Sequence, residues 1–123
     1  MEQADTRGEL HCDGAFLSVF AVLGKRWNGP ILGMLLQRPS RFGELSKAIP
    51  HLTDSVLSTR LTELVEAGLV EREVIEGPPI AALYRLTERG EALRPALDEL
   101  HRWGQRFFVA EGEERRETPA AGT

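Results

Sequence analysis

The sequence predicts a mainly α-helical fold with a small β-wing, and residues 53–87 carry most of the evidence. In this stretch an amphipathic helix passes directly into two short strands that flank a proline turn. Apolar helices are also predicted near both ends of the chain. This order of elements is typical of a winged helix-turn-helix, here dimerising through its N- and C-terminal helices.

The first predicted helix spans residues 15–23 and is apolar on nearly every side. Its apolar residues are Phe16, Leu17, Val19, Phe20, Val22 and Leu23. A helix without a polar face must be buried on several sides, and a second subunit is the obvious source of the missing surface.

The helix predicted at residues 41–49 places Phe42, Leu45 and Ile49 on one face. Pro50 ends this helix, because proline cannot continue the backbone hydrogen-bond pattern. A short connection leads to the next helix, so the two form a helix-turn-helix.

The next helix begins at Thr53, whose hydroxyl can cap its N-terminus, and stops at Gly68. Its buried face is predicted to consist of Leu57, Leu61, Leu64 and Val65. The opposite side carries small hydroxyl side chains, which belong to Ser55, Ser58, Thr59 and Thr62. Short donors and acceptors suit a helix that enters the major groove of DNA, and a plain solvated surface is the alternative.

A β-hairpin is predicted after this helix, with strands at residues 69–75 and near residues 83–86 and a turn at residues 76–79. The residues that follow the two prolines of the turn are Ile80, Ala81 and Ala82. This wing tip offers no cation to the minor groove. We therefore expect Arg72 or Arg85 to be the wing residue that contacts DNA.

The last predicted helix runs from Glu88 to about Ala110, and Pro95 should either kink it or mark where its regular part begins. Its apolar stripe consists of Leu93, Leu97, Leu100, Trp103 and Phe107, with Phe108 beside it. The two terminal helices together predict a homodimer. The expected interface residues are Phe16, Phe20, Leu97, Leu100, Trp103 and Phe107. A terminal helix folded back on its own domain is the alternative.

A chain of 123 residues with 41% hydrophobic content is expected to form one modest domain. We divide it into an acidic arm at residues 1–12, a winged helix-turn-helix domain at residues 13–110 and a disordered charged tail at residues 111–123. The chain has no long apolar run and no secretory signal, so we expect a cytoplasmic protein without a membrane span. The single cysteine excludes an intrachain disulfide, and no motif predicts a metal, a cofactor or catalysis.

The net charge of −4 is unusual for a DNA-binding protein. Most of the negative excess lies in the two ends of the chain, whereas residues 25–106 hold twelve basic and eleven acidic residues. The basic side chains there that could contact DNA phosphates are Lys25, Arg26, Arg38, Arg41, Lys47 and Arg60. Arg60 is the first candidate because it lies in the reading helix, and a solvated surface charge is the alternative for each.

Several segments, taken in order, resemble the HxlR-type regulators, which belong to the broad winged-helix group that also contains the MarR-type proteins. The segments are Cys12, LGKRW at 23–27, RFGEL at 41–45, residues 56–70, Pro78 with Pro79, YRLT at 84–87, Gly90 and Trp103. The resemblance implies a homodimeric, DNA-binding transcription factor without enzymatic activity. A palindromic operator is expected for such a dimer, and repression is expected by family analogy alone.

Cys12 is the candidate redox sensor. In several HxlR-type proteins a cysteine at this place responds to oxidants or to electrophiles such as quinones and aldehydes, and the resemblance extends that role to Cys12. A helix N-terminus favours the thiolate, whereas the neighbouring Asp13 disfavours it. An intersubunit disulfide, a mixed disulfide or alkylation is the available chemistry. The alternative role is that of a small apolar side chain near the dimer seam.

Two alternatives to this reading remain open. A small apolar ligand bound between the first and last helices, near Phe16, Phe20, Trp103 and Phe107, is the other candidate effector. A winged-helix module that contacts proteins is the other candidate function, because the acidic net charge and the uncharged wing would suit it. The salt dependence of binding distinguishes the two functions. The affinity for DNA falls steeply as the salt concentration rises, whereas the affinity of an apolar protein contact changes little.

Overall fold

A computed structural model describes residues 8–109 of the chain. The elements within this range are α1 Gly14–Leu23, α2 Asn28–Gln37, β1 Ser40–Arg41, α3 Phe42–Ala48, α4 Asp54–Glu66, β2 Val70–Ile75, β3 Ala81–Leu86, α5 Glu88–Glu91 and α6 Arg94–Gly104. A π-helical segment, Gln105–Val109, continues α6. Most of the predicted acidic arm and all of the predicted tail at residues 111–123 lie outside the described residues, so both stay predictions.

The core lies between α2, α3, α4 and the sheet. Three leucines of α4, Leu57, Leu61 and Leu64, are almost completely buried and occupy one face of the helix, as predicted. They pack in one cluster with Ile31, Leu32, Leu35, Leu45, Ile49, Leu52, Leu69, Val70 and Tyr84. The assignment of Val65 to the buried face is wrong, since this residue is 37% exposed. It lies about 100° round the helix from Leu64 and so misses the core.

Side-chain hydrogen bonds hold the turn between α3 and α4. Thr53 Oγ1 accepts a hydrogen bond from the amide of Val56 at 3.2 Å, which confirms the predicted cap. Ser46 of α3 donates its hydroxyl to Asp54 Oδ1 at 2.7 Å. These bonds fix the start of α4 relative to α3, as a helix-turn-helix requires.

The sheet has three antiparallel strands in the order β1-β3-β2. Strands β2 and β3 form the predicted wing through six residue pairs, and β3 begins earlier than predicted, at Ala81. Strand β1 was not predicted; its two residues, Ser40 and Arg41, pair with Tyr84 and Leu83 of β3. Two residues are too few to show the alternation by which a strand is recognised in a sequence.

Two glycines close the connection between α4, the sheet and α5. Gly68 has φ 81°, a conformation that disfavours a Cβ atom, and it ends α4 as predicted. A Cβ on Gly90 would overlap the carbonyl oxygen of Leu69. Thr87 donates its hydroxyl to Gly68 O at 2.6 Å, so the end of β3 is joined to the end of α4.

The helices near the ends of the chain differ in detail from the prediction. The predicted last helix is divided near its proline: α5 ends at Glu91, and α6 begins at Arg94 with Pro95 in its first turn. Proline is tolerated there because the first amides of a helix have no partner within it, so Pro95 marks the start of the regular helix. The second helix, α2, begins at Asn28, directly after the segment LGKRW at 23–27.

Glu44 holds the start of α3. Its Oε1 accepts a hydrogen bond from the amide of Arg41 at 2.8 Å, and its Oε2 accepts one from Arg38 Nη2 at 2.9 Å. The bond from Arg38, followed by the bond from the Arg41 amide, lowers the pKa of Glu44 to about 2.

We expect the stability contributed by Glu44 to be present at neutral pH and to be lost as the pH falls from the ordinary carboxyl pKa of 4.5 towards 2. The sign follows because the unfolded chain binds the proton at a higher pH than the folded chain does. The carboxyl-carbon chemical shift of Glu44 in an NMR titration measures the folded pKa. Arg38→Gln should raise the midpoint, whereas a native midpoint near 4.5 would contradict the proposed bonds.

Candidate nucleic-acid interface

The outward side of α4 presents a row of small hydroxyl side chains. Ser55, Thr59 and Thr62 lie within about 60° of one another round the helix, on the side away from the buried leucines. Ser58 lies beside them, and all four residues are exposed. The predicted reading face is therefore an uncharged surface that continues as far as Glu66, in the last turn of the helix.

Two of these hydroxyls already use their only hydrogen. Thr59 Oγ1 donates to the carbonyl oxygen of Ser55 at 3.0 Å, and Thr62 Oγ1 donates to that of Ser58 at 3.0 Å. A hydroxyl has one hydrogen and two lone pairs, so both threonine oxygens remain available as acceptors. The amino groups of adenine and cytosine are the donors that such acceptors can bind in the major groove, and the threonine methyls can contact thymine.

One carboxylate on the flank of α4 engages two of the predicted phosphate contacts. Glu63 Oε1 lies 2.6 Å from Arg60 Nη1, and Glu63 Oε2 lies 3.3 Å from Lys25 Nζ. Desolvation raises the pKa of Glu63, but the hydrogen bonds from Lys25 and Arg60 outweigh it and lower the pKa overall. Arg60 lies about 140° round the helix from Ser55, so this cluster stands beside the reading face rather than on it.

Two further arginines are held by carboxylates. Arg38 Nη2 lies 2.9 Å from Glu44 Oε2, and Arg85 is paired with Glu73 across the wing hairpin. Arg72 is exposed and has no acidic partner among the ion pairs of the described residues. Arg72 and Arg85 were the two wing residues expected to contact DNA. Of these, Arg72 is the one whose charge is not already neutralised by a carboxylate.

Arg41 and Lys47 line a groove between α3 and β3 with a volume of about 410 Å³. The other residues along this groove are Phe42, Gly43, Glu44, Ala81 and Ala82. Within residues 8–108, neither cation has an acidic partner, so two positive charges border one opening beside the helix-turn-helix. Arg26 is also exposed, and its guanidinium carbon lies 4.7 Å from the ring centroid of Trp27.

The tip of the wing is apolar and carries no cation. Ile80 is 74% exposed and Val74 is 52% exposed. The turn between the strands also contains an acidic residue, Glu76, which is exposed. A carboxylate near a phosphate is repelled, so this tip is unsuited to contact with the DNA backbone.

An exposed apolar surface covers α1 and α6. No residue of α1 is buried, and Phe16 remains 62% exposed. The large apolar residues exposed on these helices and the π-helical segment are Phe16, Leu17, Val19, Phe20, Leu100, Trp103, Phe107 and Phe108. Contiguous apolar surface of this kind marks an interaction site rather than ordinary protein surface.

A groove of about 800 Å³ between α1 and α6 brings together most of the predicted interface residues. Those that line it are Phe16, Phe20, Leu97, Leu100 and Trp103. Phe107 lies beside the groove, with its ring centroid 5.6 Å from that of Trp103. The predicted dimer interface and the predicted site for a small apolar ligand are therefore the same region of the molecule.

Cys12 is exposed and lies two residues before α1. Asp13, not Cys12, caps this helix, since its carboxylate accepts a hydrogen bond from the amide of Ala15 at 3.2 Å. The thiol is accessible to solvent at the open end of the helix that carries Phe16 and Phe20.

Sequence reasoning missed two residues that organise this region, Glu63 and Asn28. Glu63 shows only the ordinary i,i+3 spacing to Arg60, and its second partner, Lys25, is 38 residues away in the chain. Asn28 is 1% exposed, and its Nδ2 donates to the carbonyl oxygen of Val22 at 2.8 Å. A polar residue at the start of an otherwise apolar helix was the one available signal for Asn28.

Across residues 8–109, no helix is long and apolar enough to cross a membrane. In the same part of the chain, no group of three histidine, cysteine or acidic side chains is arranged to hold a metal ion.

Comparison with known proteins adds to this geometry. The family model described as HxlR-like helix-turn-helix matches residues 22–112 of the chain. The HTH-type transcriptional regulator YodB of Bacillus subtilis is 41% identical over 90 residues, which cover 73% of this chain and 80% of YodB.

Solved structures agree with the fold. Reduced YodB is 38% identical with a TM-score of 0.70 over 80% of this chain and 96% of the YodB chain. Quinone-bound YodB is 39% identical with a TM-score of 0.65 over 76% and 98% of the respective chains. The redox regulator HypR in its reduced form is 30% identical with a TM-score of 0.73 over 80% and 99%. YodB is also known in a diamide-treated form, and HypR in an oxidised form.

Proposed function

Because the chain belongs to the HxlR-like helix-turn-helix family of transcriptional regulators, we propose that it is a homodimeric repressor. In this proposal it binds a palindromic operator in the cytoplasm and is released by modification of Cys12. The observation that carries the proposal is the exposed, uncharged hydroxyl face of α4. Its relatives are transcriptional regulators, so the protein acts by binding and is not an enzyme.

Base reading is assigned to the hydroxyl face of α4, which consists of Ser55, Ser58, Thr59 and Thr62. The two threonine oxygens act as acceptors, because their hydrogens are bonded to the helix backbone. An operator half-site should accordingly present adenine or cytosine amino groups, or thymine methyls, opposite these residues. The two serines have no such backbone bond among the described hydrogen bonds and supply both donor and acceptor capacity.

Phosphate contacts are assigned first to Arg26, Arg41 and Arg72, which are exposed and have no carboxylate partner within the described residues. These contacts position the protein on DNA without reading its sequence. Lys25 and Arg60 stay predicted phosphate contacts, but they share Glu63 and so contribute about one net positive charge between them. The protein therefore binds DNA through few net charges.

Dimerisation is assigned to the exposed apolar surface of α1 and α6. Within residues 8–109 this surface has no counterpart in its own subunit, and a second copy would supply an identical surface across a two-fold axis. The interface would contain Phe16, Phe20, Leu97, Leu100, Trp103 and Phe107. Two α4 helices related in this way lie about 34 Å apart, which requires an inverted repeat in the operator.

Cys12 is assigned the role of the switch because one relative that shares this fold, YodB, is known in quinone-bound and diamide-treated forms. Diamide would oxidise two Cys12 thiols from two subunits to one disulfide and take up both hydrogens as it is reduced. A quinone would instead accept the Cys12 sulfur at a ring carbon, and the thiol proton would end on the resulting hydroquinone. Either reaction changes the surroundings of α1, where the proposed interface lies.

A second candidate effector is a small apolar ligand in the groove between α1 and α6. The observation in its favour is the 800 Å³ volume of this groove and its lining of aromatic and aliphatic side chains. Such a ligand would act on the same interface as Cys12, without covalent chemistry.

The first prediction separates base reading from phosphate contact. Thr59→Ala should change the order of preference among operator variants, since it removes a base contact. Arg41→Gln should weaken binding to all variants alike and reduce the slope of log K against log salt by about 1. Fluorescence anisotropy over a salt series measures both effects, with Arg102→Gln on the polar side of α6 as the control. If the native protein does not bind DNA even at low salt, a module for protein contacts is supported instead.

The second prediction concerns the dimer. Leu100→Glu should shift the protein towards a monomer in sedimentation velocity, because it places a charge in the proposed apolar interface. Val74→Glu is the matched control, since Val74 on the wing and Leu100 are 52% and 57% exposed. A native protein that sediments as a monomer, or an equal effect of both substitutions, would rule out this interface.

The third prediction tests the switch in a mobility-shift titration on the upstream intergenic DNA of the protein's own gene. Diamide or a quinone should reduce the affinity of the native protein by about tenfold or more, a coupling typical of regulatory proteins. Cys12→Ser should bind equally well with and without these reagents. If both proteins ignore them, Cys12 is not the switch and the groove between α1 and α6 becomes the leading effector site.

A further inference from the structure

We propose that the ion-pair cluster of Lys25, Glu63 and Arg60 sets the spacing between the two operator half-sites that the dimer accepts, with Glu63 as the positioning residue. The inference rests on the proposed function and goes beyond it, because it gives operator selectivity to a residue that touches no base. It follows from where the cluster stands: it joins the loop after α1 to the flank of the reading helix α4.

Glu63 holds one partner with each carboxylate oxygen. Arg60 bonds Oε1 at 2.6 Å and lies three residues away on the same helix, so this bond orients the carboxylate along α4. Lys25 bonds Oε2 at 3.3 Å and belongs to the loop between α1 and α2. The Glu63 carboxylate is thus oriented by Arg60 of its own helix, and it binds Lys25 of the loop between α1 and α2.

The loop that carries Lys25 is itself fixed to α1 and α2. Asn28 Nδ2 donates to the carbonyl oxygen of Val22 at 2.8 Å, which joins the last turn of α1 to the first residue of α2. The amide of Gly24 donates to Phe20 O at 2.9 Å, and the amide of Asn28 donates to the backbone oxygen of Lys25 at 3.1 Å. The Lys25–Glu63 contact therefore links the direction of α1 to the direction of α4.

In a two-fold dimer that forms through α1, this link acts twice. The distance between the two α4 helices depends on how each is oriented relative to the α1 of its own subunit. Half of the ~34 Å separation of half-sites is roughly 17 Å. A tilt of about 5° over that length moves each α4 by about 1.5 Å, so the separation of the two helices changes by about 3 Å, close to the ~3.4 Å rise of one base pair. One base pair also turns one half-site by roughly 34–36° relative to the other. Loosening at Glu63 must therefore let each α4 shift and also turn by about 17° before an operator that is longer or shorter by one base pair is admitted.

The cluster can be removed without loss of the fold. The side chains of Lys25 and Glu63 are 47% and 33% exposed, and ion pairs with this exposure contribute little to stability. None of the three residues belongs to the buried core. Substitutions here test orientation rather than folding, and the thermal midpoint of each variant should stay near that of the native protein.

The experiment measures binding to operators with identical half-sites and spacers shortened or lengthened by one or two base pairs. The native protein should prefer one spacer over its neighbours by about tenfold, a discrimination comparable to one mismatched base pair. Glu63→Gln should lower this ratio by up to about fivefold, the most that an exposed ion pair of about 1 kcal/mol can supply, while leaving the preference among half-site variants unchanged. The substitution also removes a negative charge, so its affinity should rise at every spacing, an effect that cancels in the ratio.

Variants of Lys25 test whether the spacing preference depends on its contact with Glu63. Lys25→Met should relax the spacing as Glu63→Gln does, and Lys25→Arg should preserve it because the charge is kept. The double variant of Lys25→Met and Glu63→Gln should be no more relaxed than either single variant, since both remove one contact. Glu91→Gln, which breaks the i,i+3 pair with Arg94 away from the groove between α1 and α6, is the matched control and should leave the spacing preference intact.

The outcomes distinguish this inference from the function on which it rests. If the native protein binds operator DNA and Glu63→Gln keeps the native spacing ratio, the positioning role is overturned and DNA binding stands. The same holds if the native protein binds all spacers equally. If the native protein binds none of the DNA at low salt, the proposed function and the spacing role both fail.

Discussion

The burial of Leu57, Leu61 and Leu64 is the constraint on which the rest of the structure depends. The three side chains occupy one side of α4, so their packing fixes the rotation of the helix about its own axis. That rotation directs the hydroxyl row outward and leaves Arg60 and Glu63 on the flank. A rotation by one residue, about 100°, would turn the hydroxyls aside and expose leucine instead. The core thereby determines the chemistry that the reading face can offer.

The small size of this core also explains why the helices near the two ends of the chain expose apolar side chains. Among residues 8–109, one core formed by α2, α3, α4 and the sheet leaves α1 and much of α6 without a partner. The surface that would hold two subunits together is also the surface that lines the apolar groove of about 800 Å³. A ligand in this groove and a partner helix would compete for the same side chains. In the proposed function, binding of an effector and dimerisation would therefore be coupled by geometry, whether the trigger is covalent or not.

Periodic and capped elements could be predicted from the sequence, and contacts between distant residues could not. The leucine spacing, the Thr53 cap and the Gly68 stop correctly placed α4, because each signal is local. Strand β1 escaped prediction because it has only two residues, and Val65 was misplaced because it borders the buried face. The outward direction of the hydroxyls was predictable from helix geometry. The partnership of Glu63 with a lysine 38 residues away was not, since no local pattern records it.

The apolar, acidic tip of the wing bears on how such a regulator finds its operator. Affinity for unrelated DNA arises almost entirely from phosphate contacts, and a wing tip without a cation adds none. The protein would then bind unrelated DNA less tightly than a regulator with a basic wing tip, and a larger share of its molecules would stay free between encounters. Fewer copies would be lost to the roughly 10⁶ or more competing sites of a genome. The fraction of operator that is occupied would then follow the copy number of the regulator closely. A small change in the expression of the regulator would change transcription from the promoter.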